Sequence, residues 1–272
     1  MTRTRSLRDR GTAGPVKRIL AVLPPPVGLL PLAAALAAWE LIQRGPSSNF
    51  PPPSAWWKAL ATLVANGSLA PAVAETLASF LAGFAIACAS GFVLGILIGT
   101  VRWLREWTGW LLEYLRALPP PVVVPIALLM LGFSETMKLA VIGVTAAWPI
   151  LLNTVAGVRA APPLLADVAR SLGLSWPAAV WKIVVPATIP PLLVGARTSM
   201  ALAIVVTLLV EIFTGLPGIG VLMVTGQRNY NSAQVFGLLA LVGILAFFLT
   251  LAFGVVEALI LQRFPPRARG GA

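Results

Sequence analysis

The sequence predicts an all-α integral membrane protein with six transmembrane helices. Of its 272 residues, 58% are hydrophobic and only 11% charged, whereas soluble domains are about half apolar and a quarter charged. The mean hydropathy is +0.90. Several stretches also reach the roughly 20 apolar residues that a helix needs to cross the hydrocarbon core. A soluble bundle would need a polar face on each surface helix, and several of these stretches have none. The chain has no histidine and one cysteine, which excludes histidine acid–base chemistry, histidine metal sites and an intrachain disulfide. Cys88, inside an apolar run, reads as a small buried hydrophobe.

Taken in order, residues 1–19 form a basic tail. The opening "MTRTRSLRDRGTAGPVKRIL" resembles the start of a signal peptide. It runs instead into a proline-bearing apolar stretch without a compact cleavage region, which predicts an uncleaved first span. Residues 20–264 read as a single transmembrane domain, with spans at about 20–43, 75–101, 108–133, 137–158, 188–212 and 235–261. Residues 265–272 form a second tail. The second span has no charge between Glu75 and Arg102. The segment 45–60 is turn-rich and then amphipathic, placing Trp56 and Trp57 at the outer interface, while "RWLREWTGW" (102–110) suits the inner one.

The basic residues set the orientation. With the N-terminus inside, the inner segments hold Arg3, Arg5, Arg8, Arg10, Lys17, Arg18, Arg102, Arg105, Arg159, Arg170, Lys182, Arg263, Arg267 and Arg269. The outer ones hold Arg44, Lys58, Lys138 and Arg228. Fourteen against four places both termini in the cytoplasm. The net charge of +11 therefore belongs to the membrane surface rather than to nucleic acid.

Gly91, Gly95 and Gly99 recur every fourth residue in the second span and allow close backbone approach, either within one subunit or between two. Pro119, Pro120, Pro121 and Pro125 interrupt the third span. Such a break survives in lipid only where protein or a wet cavity satisfies the backbone; it marks either a passage or a structural kink. Glu113 and Arg116 share a face and read as a local ion pair. Arg197 lies near enough to the inner end to snorkel towards water. Glu211 precedes "FTGLPGIGVLM", a tight outer turn, and either lines an outer gate or meets water at its helix end. The nine acids are scattered, so no metal site is expected.

The segment 159–187 is polar and cytoplasmic. Leu164, Leu165, Val168 and Leu172 give a short amphipathic helix, and Gly173 ends it. Ser175 caps a second helix with Pro177 in its first turn. Val180, Trp181 and Val184 supply the apolar face, and Pro186 and Pro190 are expected to stop it. The spacing Asp167, Ala169, Gly173, then Ile183 and Pro186 resembles the EAA motif of permease subunits of ATP-binding-cassette (ABC) importers, with Asp167-Val168 where the family usually has Glu-Ala. "NFPPPSAWWKAL", "LLEYLRALPPPVVVPIALLMLGFSETMK" and "VEIFTGLPGIGVLM" resemble the subfamily serving nitrate, taurine, aliphatic sulfonates and thiamine-precursor pyrimidines.

That resemblance implies a type I importer permease fold in the bacterial inner membrane, working as a homodimer. It implies cytoplasmic ATPase subunits docked on the 163–186 loop, with Asp167, Ala169, Gly173, Ser175, Ile183 and Pro186 at the coupling site, and an extracytoplasmic substrate-binding protein. No cofactor is expected in this chain. It has no Gly-Lys pair and so no G-x-x-x-x-G-K-[ST] loop for ATP phosphates; the partner would bind ATP. The implied role is a non-catalytic subunit forming the path for a small anion or polar organic solute. The competing reading is a stand-alone secondary transporter or channel, for which acids in mid-span or an inverted repeat would be expected.

Overall fold

A computed structural model describes residues 28, 30–43, 49–162 and 164–264. The tails at 1–19 and 265–272 and the first part of the predicted first span lie outside these residues. The described chain is helical: α1 (Leu30–Ile42), α2 (Pro53–Ala65), α3 (Leu69–Thr100), α4 (Arg102–Arg116), α5 (Pro120–Leu131), α6 (Glu135–Arg159), α7 (Leu164–Ser171), α8 (Trp176–Thr214), α9 (Ile219–Arg228) and α10 (Ser232–Arg263). Four of these, α3, α6, α8 and α10, are long and apolar enough to cross a membrane. A fifth span is present if the bent pair α4–α5 counts as one.

The break expected in the third span is present: the segment forms two helices bent by 101°. Pro119 is extended at the N-cap of α5, and the prolines that follow occupy its first turn. Their missing N–H groups cost little there, because the first-turn donors of a helix have no intrahelical partner. The prolines therefore start α5. The preceding α4 is amphipathic and exposes Trp103, Trp107 and Trp110.

A correction concerns Pro186 and Pro190. They do not stop a helix: Trp176–Thr214 is one 39-residue helix passing through both. Val180–Val184 forms a π turn, and the Val185 N–H bonds to the Val180 carbonyl five residues back. This register shift lets the helix continue into Pro186, whose ring removes an ordinary donor. The predicted boundary between the 159–187 loop and a 188–212 span accordingly falls inside α8.

The centre of the bundle is α6, sandwiched between α3 and α8. Small residues make the sandwich tight. A Cβ on Gly91 would lie 2.7 Å from the Ala147 carbonyl oxygen, and one on Gly95 would lie 2.6 Å from Thr154 Cβ. Gly99 faces Val158 at a similar approach. All three glycines therefore pack inside one subunit, against α6. On the other side of α6, Gly195 of α8 approaches the Pro149 carbonyl. Between these contacts lie Phe80, Ala87, Ile142, Ile150, Ala203 and Val206, all essentially inaccessible. Cys88 is half-buried beside them.

α6 begins cleanly. The Ser134 hydroxyl accepts the Met137 N–H at 3.2 Å, with Glu135 in the first turn and Arg159 in the last, matching the helix dipole. Trp56 does not face outward from the bundle. It is buried, T-shaped to Trp39 at 5.2 Å and stacked on Phe236 at 5.6 Å, and its indole N–H donates to the Pro51 carbonyl. This cluster ties α1 and α2 to α10, while Trp57 remains exposed.

Candidate functional site

Three features stand along α8, from one end of the bundle to the other. The first is the turn between α7 and α8. Gly173 has φ +61°; its N–H bonds to the Arg170 carbonyl, and the Leu174 N–H bonds to Ala169, both at 3.0 Å. This is a left-handed C-terminal cap, for which glycine carries no steric penalty. Asp167 and Arg170 form an exposed ion pair, while Ala169 is buried. Ser175 holds the N-cap position, but its hydroxyl makes no capping hydrogen bond, contrary to the sequence expectation. Ile183 and Pro186 lie half-buried further along α8. Leu164, Val168, Leu172, Trp176 and Trp181 are all exposed, so this helical pair presents apolar surface. Nothing is described of the side chains of Leu165 and Arg116, and the expected Glu113–Arg116 pair lies outside the described residues.

About three turns beyond Pro186, Arg197 donates to Glu257 of α10. The guanidinium is partly exposed and the carboxylate largely covered. The two intramembrane charges therefore partner each other.

The second feature is a cleft of about 540 Å³ at mid-bundle, walled by the start of α5, the middle of α6 and the middle of α8. Pro120, Thr145, Trp148, Asn153, Thr198 and Leu202 line it. Of the interrupting prolines, Pro120 reaches this wall. No charged side chain lines it.

The third feature closes the far end. Glu211, an expected gate residue, is fully buried and salt-bridged to an equally buried Lys138, with 3.1 Å between Nζ and Oε1. Thr76 Oγ1 lies 2.9 and 3.0 Å from the two carboxylate oxygens. The Gly220 N–H donates to Oε2 at 2.9 Å, and the Ile219 N–H donates to Thr76 Oγ1 at 2.8 Å. Lys138 also donates to the Pro217 carbonyl at 3.1 Å. The "GLPGIG" turn is therefore wrapped around a carboxylate. Gly218 is required there: its φ is +153°, and a Cβ would lie 2.1 Å from Glu211 Cδ.

This burial corrects the reading in which Glu211 meets water at its helix end. Lys138, counted among the outer surface charges, is likewise inside. Lys138 and Thr76 were missed as partners because they stand 73 and 135 residues from Glu211, and periodicity carries no such information. Thr145, Asn153 and Thr198 were missed because isolated polar residues in a span are common helix decoration. Among the described residues, no group of three His, Cys, Asp or Glu forms a metal site.

The described helices form an apolar, membrane-crossing bundle with a capped helical turn exposed at one end. A family model described as "binding-protein-dependent transport system inner membrane component" matches residues 91–269, and the chain belongs to that family. It is 28% identical over 268 residues to the nitrate import permease protein NrtB of Synechocystis sp., covering 94% of this chain and 96% of that protein. It is 33% identical to the bicarbonate transport system permease protein CmpB of the same organism, covering 85% and 89%. It is 27% identical to the putative aliphatic sulfonates transport permease protein SsuC of Bacillus subtilis, covering 77% of each. Among solved structures, a chain of the inward-facing MetNI methionine ABC transporter superposes with TM-score 0.63 at 19% identity, covering 71% of this chain and 96% of that one. The fold is that of a type I ABC importer permease, and the protein is a multi-pass inner-membrane transport component.

Proposed function

We propose that the chain forms the translocation path of an ATP-driven importer for a small oxyanion of the nitrate, bicarbonate or sulfonate kind. It works as a homodimer with two cytoplasmic ATPase subunits and an extracytoplasmic binding protein. Both termini and the α7–α8 turn face the cytoplasm. The ATPases dock on residues 163–186, where Asp167, Ala169, Gly173, Ser175, Ile183 and Pro186 shape the contact. The chain itself holds no ATP and no cofactor.

The observation that carries this reading is the continuity of α8. It begins at the exposed turn, passes the cleft at Thr198 and Leu202, and ends at the Glu211 network. A push on the turn is thereby delivered to the cleft wall and to the opposite end by one rigid element, as alternation between inward-open and outward-open states requires. The relatives of this chain that are named for nitrate, bicarbonate and sulfonates supply the solute class.

The test is reconstitution in proteoliposomes with the cognate ATPase and binding protein. ATP-dependent uptake of nitrate, bicarbonate or a sulfonate is expected. Uptake that continues without the ATPase would overturn the proposal in favour of a stand-alone transporter.

A further inference from the structure

α4 has three faces, where an upright membrane span has two. Leu104, Thr108, Leu112 and Leu115 are half-buried on the bundle side, where α3 is the main neighbour. Trp103, Trp107, Trp110 and Tyr114 fall within about 60° of one another around the helix. All four are exposed, Trp107 and Trp110 to 82% and 89%. Arg102, Glu106 and Glu113 fall within about 40° on the next side. Arg102 and Glu106 pair at 2.8 Å, with side chains 84% and 60% exposed. An upright helix meets only protein and lipid, and a charged stripe from its first turn to its last would cross hydrocarbon at high cost. A helix lying along the membrane surface beside a bundle meets protein, lipid and water at once.

The fold lays α4 down in this way. Its axis turns by 101° into α5, and Arg105 donates to the Gly99 carbonyl at the corner with α3. Gly99, just before α4, packs on Val158 of α6, and Leu118, just after it, lines the cleft with Leu152. Val158 and Leu152 stand about 9 Å apart along α6, whereas the 15 residues of α4 extend about 22 Å, at 1.5 Å each. Most of α4 therefore runs across the bundle, at the end that carries α7. Its exposed apolar surface continues that of α3, which crosses the membrane and exposes Val93, Leu94 and Leu97 in its last two turns.

We propose that the whole of α4 is an interfacial helix whose partner is the phospholipid surface. Its aromatic stripe sits at the boundary of headgroups and acyl chains, and its charged stripe sits in water. The stripe is built of Trp and Tyr, whose apolar rings carry a polar N–H or O–H and suit the headgroup level. The interfacial segment thus reaches past residues 102–110 into what the sequence places in the third span. Residues 117–119 join α4 directly to α5, where Pro120 lines the cleft, so lipid that seats α4 also holds that wall of the cleft. On the importer reading this is the cytoplasmic leaflet; the seating itself does not depend on that reading.

The experiment places nitroxide labels, one at a time, on the full-length protein in liposomes of phosphatidylethanolamine and phosphatidylglycerol, in a Cys88→Ala background. Power saturation compares collisions with oxygen, which concentrates in lipid, and with a water-soluble nickel chelate. Labels at Trp103→Cys, Trp107→Cys and Tyr114→Cys should favour oxygen and lie about 5–10 Å below the phosphates. Their depths should agree within about 3 Å, whereas an upright helix would change depth by about 16 Å between Trp103 and Tyr114. Labels at Glu106→Cys and Glu113→Cys should favour nickel. A steady change of depth along the aromatic stripe would overturn the proposal in favour of a half-span. Shielding of that stripe from both reagents would overturn it in favour of a protein partner, a second copy of this chain included. Equal nickel access on both stripes would overturn it in favour of a helix held in water. Because each label replaces a ring under test, tryptophan quenching by lipids brominated near the headgroup gives a second reading on the unlabelled protein. Trp103→Phe/Trp107→Phe/Trp110→Phe should lower the quenched fraction relative to wild type; an unchanged fraction would overturn the lipid contact.

Discussion

At the residue scale, the buried Lys138–Glu211 pair dominates. Two charges removed from water are tolerated only when Coulomb attraction and surrounding donors offset desolvation. Glu211 meets that condition with Lys138, Thr76 and the Gly220 N–H. Removing one partner strands the other. Lys138→Met is expected to destabilise the purified protein by about 3–5 kcal/mol, read as a fall in thermal unfolding midpoint in detergent. Adding Glu211→Gln should recover part of that loss, because the amide oxygen still accepts from Gly220 while the unpaired charge is gone. Simple additivity of the two losses would argue that the residues do not interact. Gly218→Ala should disrupt the same network without changing a charge, since its Cβ has to displace the carboxylate. Arg197→Ala is expected to destabilise as well, because it strands the largely covered Glu257 carboxylate, 14% exposed, within a membrane-spanning helix.

At the scale of elements, what was legible in the sequence depended on whether the signal was local. α3, α6 and α10 could be placed because each is an apolar run ended by charge or a cap, and their observed bounds lie within a few residues of the expected ones. The α7–Gly173–α8 turn was equally readable, since a left-handed C-terminal cap has a one-residue signature. One feature was misread for a physical reason. Pro186 and Pro190 look like stops, but the π turn at Val180–Val184 absorbs the lost donor, and membrane helices tolerate prolines where neighbours satisfy the backbone. The break before α5 was legible from its prolines, although the apolar count alone still looks like one span. Trp56 packs on Trp39 and Phe236, partners that only the fold reveals. Gly91, Gly95 and Gly99 announced a close approach without naming the partner helix. With α6 now facing them, Gly91→Leu is expected to force α3 from α6 and cost about 1–3 kcal/mol; an unchanged unfolding midpoint would contradict that packing role.

At the scale of the whole molecule, α8 spans about 58 Å if its 39 residues rise 1.5 Å each, so both ends of the bundle share one rod. The turn that leads into it carries the Gly173 cap of α7. Holding φ near +61° costs a β-branched residue roughly 1–2 kcal/mol, enough to tilt or fray that turn without touching the membrane-embedded packing. Gly173→Val should therefore insert and accumulate normally, yet lose ATPase association in co-purification and lose solute uptake. The rod model makes a sharper demand. Spin labels at exposed Leu172 and exposed Tyr230 in the intact complex should both shift when the ATPase is trapped in its ATP-bound state. In the Lys138→Met/Glu211→Gln background, where the ion pair and the Lys138 bond to the Pro217 carbonyl are gone and the tie between the GLPGIG turn and α8 is weakened, the Leu172 shift should persist and the Tyr230 shift should shrink. Movement at Tyr230 that is unchanged in that background would mean that the far end is driven by α6 or α10, and α8 would lose its role as the link between energy input and the distal turn.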